Sequence, residues 1–156
     1  MYIKLAAEQI AKRCGRNPFD VAEQLGITII YESLGTIRGY YSKNFRQKFI
    51  HINCDMPDHL KNFVCAHEVG HAVLHEDLNT PFLRKNTLMS INRYEIEANQ
   101  FASCLLLSDE MMVEYINEYG YTIPQIARCT GLPEPLVEYR FDTLEDIEIR
   151  NEFLEC

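Results

Sequence analysis

Tryptophan is absent from this 156-residue chain, and no stretch approaches the roughly 18 apolar residues a spanning helix needs. A helical membrane segment is thereby excluded from the reading. Positive charge is also in short supply: 15 Lys and Arg stand against 23 Asp and Glu, a net charge of −8. Such a balance disfavours nucleic acid or an anionic membrane as the main partner. Part of the acidic excess is C-terminal, where Glu145, Asp146, Glu148, Glu152 and Glu155 face only Arg150. The six cysteines (14, 54, 65, 104, 129 and 156) form no CxxC pair and no compact framework. Lys4, Glu8 and Lys12 break up the apolar N-terminal residues, so no export signal is read there. Free thiols in a reducing cytoplasm are the expectation. Glycine and proline are scattered rather than clustered, which leaves no low-complexity linker and no repeat. One domain over 1–156 is expected, with N-terminal helices in 1–25, a sheet and active-site helices in 26–107, and C-terminal helices in 108–156.

What is present reads as an α+β fold, a small antiparallel sheet packed on helices. Residues 4–14 form a helix closed by Gly15, and Asn17-Pro18 starts a second that ends at Gly26. The β-branched run Ile27–Tyr31 reads as a strand, as do Ile37–Ser42 and Phe49–Asn53, with Lys43–Lys48 as a hairpin loop. A long helix follows from Asp55 and Pro57 to His75, then a polar loop over 76–91 containing Pro81, then a helix from about Arg93 to Leu107. Ser108, Thr122 and Pro133 open three more.

The long helix carries His67-Glu68-Val69-Gly70-His71, an HExxH sequence, between Phe63-Val64-Cys65-Ala66 and Ala72-Val73-Leu74. Histidines four apart share a helix face, and two imidazoles so placed suit a tetrahedral zinc ion with the glutamate as base. The apolar flanks predict burial, where an ionised Glu68 is costly unless it is paired or put to work. Gly70 in mid-helix costs about 1 kcal/mol relative to alanine. Packing alone does not account for a buried centre of this composition. Cys65, two residues before His67, projects from the wrong face for the same metal. His75 extends the histidine stripe and reads as a helix-end residue favoured by the macrodipole.

A catalytic zinc takes three protein ligands, so one more is needed. On the next helix Glu95 and Asn99 are four apart and share a face, which suits a ligand and its hydrogen-bonding support, while Glu97 lies on another face. The competing reading makes Asn92 the helix cap and Glu95 its capping-box partner. Residue physics weighs the two evenly.

The segments Gly39-Tyr40-Tyr41, Phe49–Asn53, Phe63–His75 and Glu95-x-Glu97-Ala98-Asn99-x-Phe101-Ala102 with Leu105-Leu106-Leu107, in that order, resemble the ImmA/IrrE metallopeptidases. The resemblance spans about residues 20–110. It implies a zincin-like domain of the gluzincin type, with His67, His71 and Glu95 as zinc ligands, Glu97 as the fallback, and Glu68 as catalytic base. It further implies a gene of phage or mobile-element type and, as partner, a repressor with a helix-turn-helix domain that the enzyme cleaves. Many relatives continue the leucine run into Met-Pro, where this chain has Leu107-Ser108.

The developing negative charge in such a hydrolysis needs a donor besides the metal. Tyr94, Tyr40, Tyr41 and His51 are candidates, and Phe49–Asn53 is a candidate edge strand for pairing with a substrate peptide. Two other classes stay in view. Thr122–Phe141 mimics a helix-turn-helix, but Arg128 and Arg140 are its only basic residues beside Glu134 and Glu138, too few for a recognition helix. A zinc-binding regulatory or sensor protein that controls a repressor without cutting it fits the same ligands.

Overall fold

Helix α1 covers Tyr2–Cys14 in a computed structural model that describes residues 2–78 and 88–144, the side chains of 88–92 excepted. The middle of the polar loop over 76–91 and the acidic residues from Glu145 onward lie outside the described residues. Gly15, at a left-handed φ of 79°, closes α1. Helix α2 (Pro18–Gln24) starts as its sequence dictates, with the Asn17 carboxamide accepting from the amides of Phe19 and Asp20 and Pro18 in the first turn. Strands β1 (Ile27–Glu32), β2 (Gly39–Asn44) and β3 (Gln47–Asn53) follow, then helices α3 (Asp58–Leu74) and α4 (Leu88–Leu106). Contacts group residues 1–106 into one compact unit and 107–156 into a second.

The α+β class holds, and the sheet corrects one expectation. Its order is β1-β3-β2, with β2 antiparallel to β3 but β1 parallel to β3. The sheet is therefore mixed, not antiparallel throughout. The reason is topological. The β2–β3 hairpin returns the chain between β2 and β1, so β3 runs in the direction of β1 beside it. This makes β3 the central strand, with both of its edges already paired. It cannot accept a substrate strand as proposed above; the edges belong to β1 and β2. The hairpin loop is also shorter than its polar sequence implied. Asn44 pairs with Gln47, leaving a two-residue turn in which fully exposed Phe45 takes a φ of 56°.

Alternation along the strands directs Gly39, Tyr41, Ile50 and Ile52 into the core, where α3 packs. A Cβ on Gly39 would lie 2.8 Å from the His51 carbonyl oxygen and from Val64 Cγ1, so strand and helix approach closely there. Buried Asn53 ties the β1–β2 connection to the sheet. Its Nδ2 donates to the carbonyls of Gly35 (3.0 Å) and Ile37 (2.9 Å), and its Oδ1 accepts from the amide of Asp55 (3.0 Å). Its own amide donates to the Arg38 carbonyl at 2.9 Å.

On α3 every residue from Val64 to Ala72 is buried. Helix α4 crosses it at Gly70, where an added Cβ would lie 3.1 Å from the Ala98 carbonyl oxygen and 3.2 Å from Ala98 Cα and Phe101 Cδ1. Gly70 is thus a packing glycine, contrary to the expectation that packing does not account for it. Helix α4 begins at Leu88, more than a turn before Arg93, so Asn92 lies within the helix and is not its cap. The far end of α4 is capped from outside, by the Arg16 guanidinium donating to the carbonyls of Cys104 (2.9 Å) and Leu105 (3.1 Å).

In the second unit, α5 (Asp109–Asn117) is capped by Ser108, α6 (Ile123–Thr130) by a Thr122–Gln125 capping box, and α7 (Glu134–Asp142) follows left-handed Gly131. Arg140 on α7 is wholly buried. It donates to the Leu107 carbonyl (2.9 Å) and Thr143 Oγ1 (3.1 Å) and is ion-paired with Asp109. One of the two basic residues in the helix-turn-helix-like segment is therefore committed to the interior, where no phosphate reaches it.

The Gly70 crossing is testable by Gly70→Ala. The helix gains about 1 kcal/mol in propensity. Overpacking against the unyielding Ala98 backbone costs about 1–3 kcal/mol. The expected net is a loss of about 0–2 kcal/mol in chemical denaturation; clear stabilisation would show that α4 is free to move away.

Candidate metal centre

Helix periodicity sets His67 and His71 one turn apart on the buried face of α3, and the crossing at Gly70 brings the Glu95–Asn99 face of α4 to them. The Nε2 atoms of His67 and His71 lie 3.1 Å apart. Glu95 Oε2 is 3.2 Å from His67 Nε2, and Glu95 Oε1 is 3.3 Å from His71 Nε2. Donor atoms about 2.0–2.1 Å from a tetrahedral zinc lie about 3.3 Å from one another. The two imidazole nitrogens and the Glu95 carboxylate are near that spacing, one ligand atom from each lying within 4.8 Å of the others, and among the described residues they are the one His/Cys/Asp/Glu group able to hold a metal ion.

The protonation chemistry points the same way. His67 Nδ1 donates to Asn99 Oδ1 at 2.8 Å, which turns the Nε2 lone pair of the neutral ring toward the triangle. Two ring nitrogens and a carboxylate then converge on one point, an arrangement that only a cation or a shared proton relieves. Burial works to depress His67, but the hydrogen bond to Glu95 and the charges of Glu68 and Glu95 outweigh it and raise its pKa. His71 is lowered, first by burial and then by the neighbouring His67 and His75. Burial opposes ionisation of Glu95, yet the two imidazoles reverse it and hold the carboxyl far below the usual range.

Glu68, only 2 % exposed, sits on the same helix and lines a cleft of about 340 Å³ with His67, Glu95 and Asn99. The wall of that cleft includes Thr36, Ile37, Arg38 and Gly39 from the β1–β2 connection and Phe63 and Val64 from α3. Arg38 is a cleft residue that sequence reasoning missed, since it carries no motif; its place just before Gly39 was the available signal.

The other candidates are distributed elsewhere. Glu97 pairs with His75 (Oε2 to Nε2, 3.2 Å) and Arg93, one turn beyond the triangle. His75 caps the end of α3 through its backbone, and its pKa is lowered chiefly by burial. Tyr94 packs edge-on against His75, ring centroids 4.6 Å apart. Tyr40 and His51 point to the sheet face opposite Tyr41 and Ile50, stacked at 4.2 Å with His51 Nδ1 2.5 Å from Glu32 Oε1. The structure does not bring that pair to the cleft. Tyr41 is buried and donates to the Glu76 carbonyl at 2.9 Å, its pKa pushed up to about 12 mainly by burial. Burial, with the charge of Glu68, likewise pushes the Cys65 thiol up to about 12, so it offers no thiolate. The cysteines among the described residues are free, and no helix there is long and apolar enough to cross a membrane.

Comparison with known proteins supplies the family. The family model described as the IrrE N-terminal-like domain, peptidase M78, matches residues 22–142. The chain is 39% identical over 140 residues to uncharacterized immunity region protein 2 of Bacillus phage phi105, covering 88% of each chain. It is 31% identical over 148 residues to metallopeptidase ImmA of Bacillus subtilis strain 168, covering 91% of this chain and 85% of that one. Its fold matches a Mycobacterium tuberculosis transcriptional regulator at a TM-score of 0.65 and 17% identity, over 95% of this chain; the chain spans 49% of that structure's length. The chain belongs to the ImmA/IrrE metallopeptidase family, and its His67–His71–Glu95 triangle can hold the metal that such a family implies.

Proposed function

We propose that this protein is a zinc-dependent endopeptidase that cleaves a specific partner protein, a helix-turn-helix repressor. The observation that carries the reading is the convergence of two imidazoles and a carboxylate beside a buried glutamate at the floor of an open cleft. In this reading His67, His71 and Glu95 hold the ion, and Asn99 fixes the orientation of His67. The chemistry a bound zinc supplies is polarisation of the scissile carbonyl and acidification of water. Glu68 takes the proton from the attacking water and delivers it to the leaving nitrogen. The phage immunity protein and ImmA among the relatives support a repressor as substrate.

Co-incubation of the zinc-loaded protein with a candidate helix-turn-helix repressor, read by mass spectrometry, is expected to show one discrete cleavage that a chelator abolishes and zinc restores. Glu68→Gln is expected to keep its zinc and lose about 10²–10⁴-fold in rate. If that variant retained the full biological effect, a sensor that acts by binding alone would replace the peptidase reading. Asn99→Ala removes the hydrogen bond that orients His67, and a zinc affinity weaker by about 10–100-fold is expected in competition with a chromogenic chelator. Unchanged affinity would remove Asn99 from the centre.

A further inference from the structure

Two carboxylates, Glu68 and Glu95, line the cleft, and among the described residues Arg38, on the β1–β2 connection, is the one Lys or Arg that lines it with them. Arg38 is exposed, and among the described residues no carboxylate is ion-paired with it. It is not carried on a loose loop. Asn53, 6% exposed, holds the carbonyls of Gly35 and Ile37 through its side chain and that of Arg38 through its amide. A buried polar clamp on three carbonyls within residues 35–38 pre-forms the wall, so the backbone that carries Arg38 needs little ordering. Beside it Ile37, 43% exposed, offers an apolar surface to the same cleft.

We infer that Arg38 anchors a substrate subsite that takes a carboxylate of the bound peptide, held next to an apolar side chain resting on Ile37. The inference rests on the peptidase reading and adds substrate preference to it. A guanidinium presents paired donors in the geometry of a carboxylate. The chain as a whole carries a charge of −8 and repels acidic segments. Arg38 therefore selects locally and does not steer from a distance. The carboxylate is either an acidic side chain near the scissile bond or the C-terminus of a short peptide.

The test is cleavage of a defined peptide library by the zinc-loaded full chain, read by mass spectrometry, with free and amidated C-termini as separate arms. Acidic residues are expected to be enriched at one position relative to the cut. A preference that vanishes on amidation instead assigns the subsite to the C-terminal carboxylate. Arg38→Gln is expected to lose about 5–10-fold in kcat/KM on preferred peptides, mostly through KM. Arg38→Glu is expected to invert the preference toward Lys and Arg. Coincident profiles for wild type and Arg38→Glu, with zinc content and thermal unfolding unchanged, would overturn the subsite and leave the peptidase reading standing. A parallel arm measures library binding to zinc-loaded Glu68→Gln with and without Arg38→Gln. Arg38-dependent capture of acidic peptides without any cleavage by wild type would retain the subsite and sink the peptidase reading; neither binding nor cleavage sinks both.

Discussion

Helices α3 and α4 pass one another at Gly70, where even a methyl group would press on the Ala98 backbone at 3.1 Å. The rest of the site depends on that approach. Gly70 lies between the two histidines in sequence, and Ala98 lies between Glu95 and Asn99. The contact therefore delivers the Glu95 carboxylate to both imidazoles and the Asn99 carboxamide to the outer nitrogen of His67. A wider crossing would leave the histidines with a carboxylate out of reach. The glycine thus gives up some helix stability so that two helices can share one triangle of donors.

The same arrangement sets the electrostatics. Two imidazole nitrogens 3.1 Å apart, each within 3.3 Å of one oxygen of the Glu95 carboxylate, form a cluster that calls for positive charge. His67 shifts up and Glu95 down in answer to that demand, while burial lowers His71. Glu68 stands next to this charge at the cleft floor, while Cys65, one face away, is held as a thiol. The sheet contributes the opposing wall of residues through Gly39 and the connection clamped by Asn53.

Much of this was legible because it is local. Helical spacing placed His67 and His71 on one face, Asn17, Ser108 and Thr122 announced helix starts, and Gly15, Gly26 and Gly131 announced ends. The failures share a cause. Assigning Phe49–Asn53 to an edge, placing Tyr40 and His51 near the chemistry, and reading Gly70 as unexplained by packing each required knowing which element lies beside which. Strand order moved β3 to the centre, and alternation on paired strands turned Tyr40 and His51 to the far face, where Glu32 engages them.

The choice between Glu95 and Glu97 shows where the boundary lies. From the residues alone, Glu95 served equally well as a ligand or as a capping partner of Asn92. Helix α4 starts at Leu88, which removes the cap, and the crossing aims Glu95 at the triangle while Glu97 meets His75. The sequence by itself determined the two histidines, the glutamate between them and the family pattern, because periodicity within one helix depends only on backbone geometry. The tertiary structure alone brings Glu95 to the two imidazoles, Asn99 to His67 and Arg38 to the cleft, because each depends on a distance between segments that no local rule encodes.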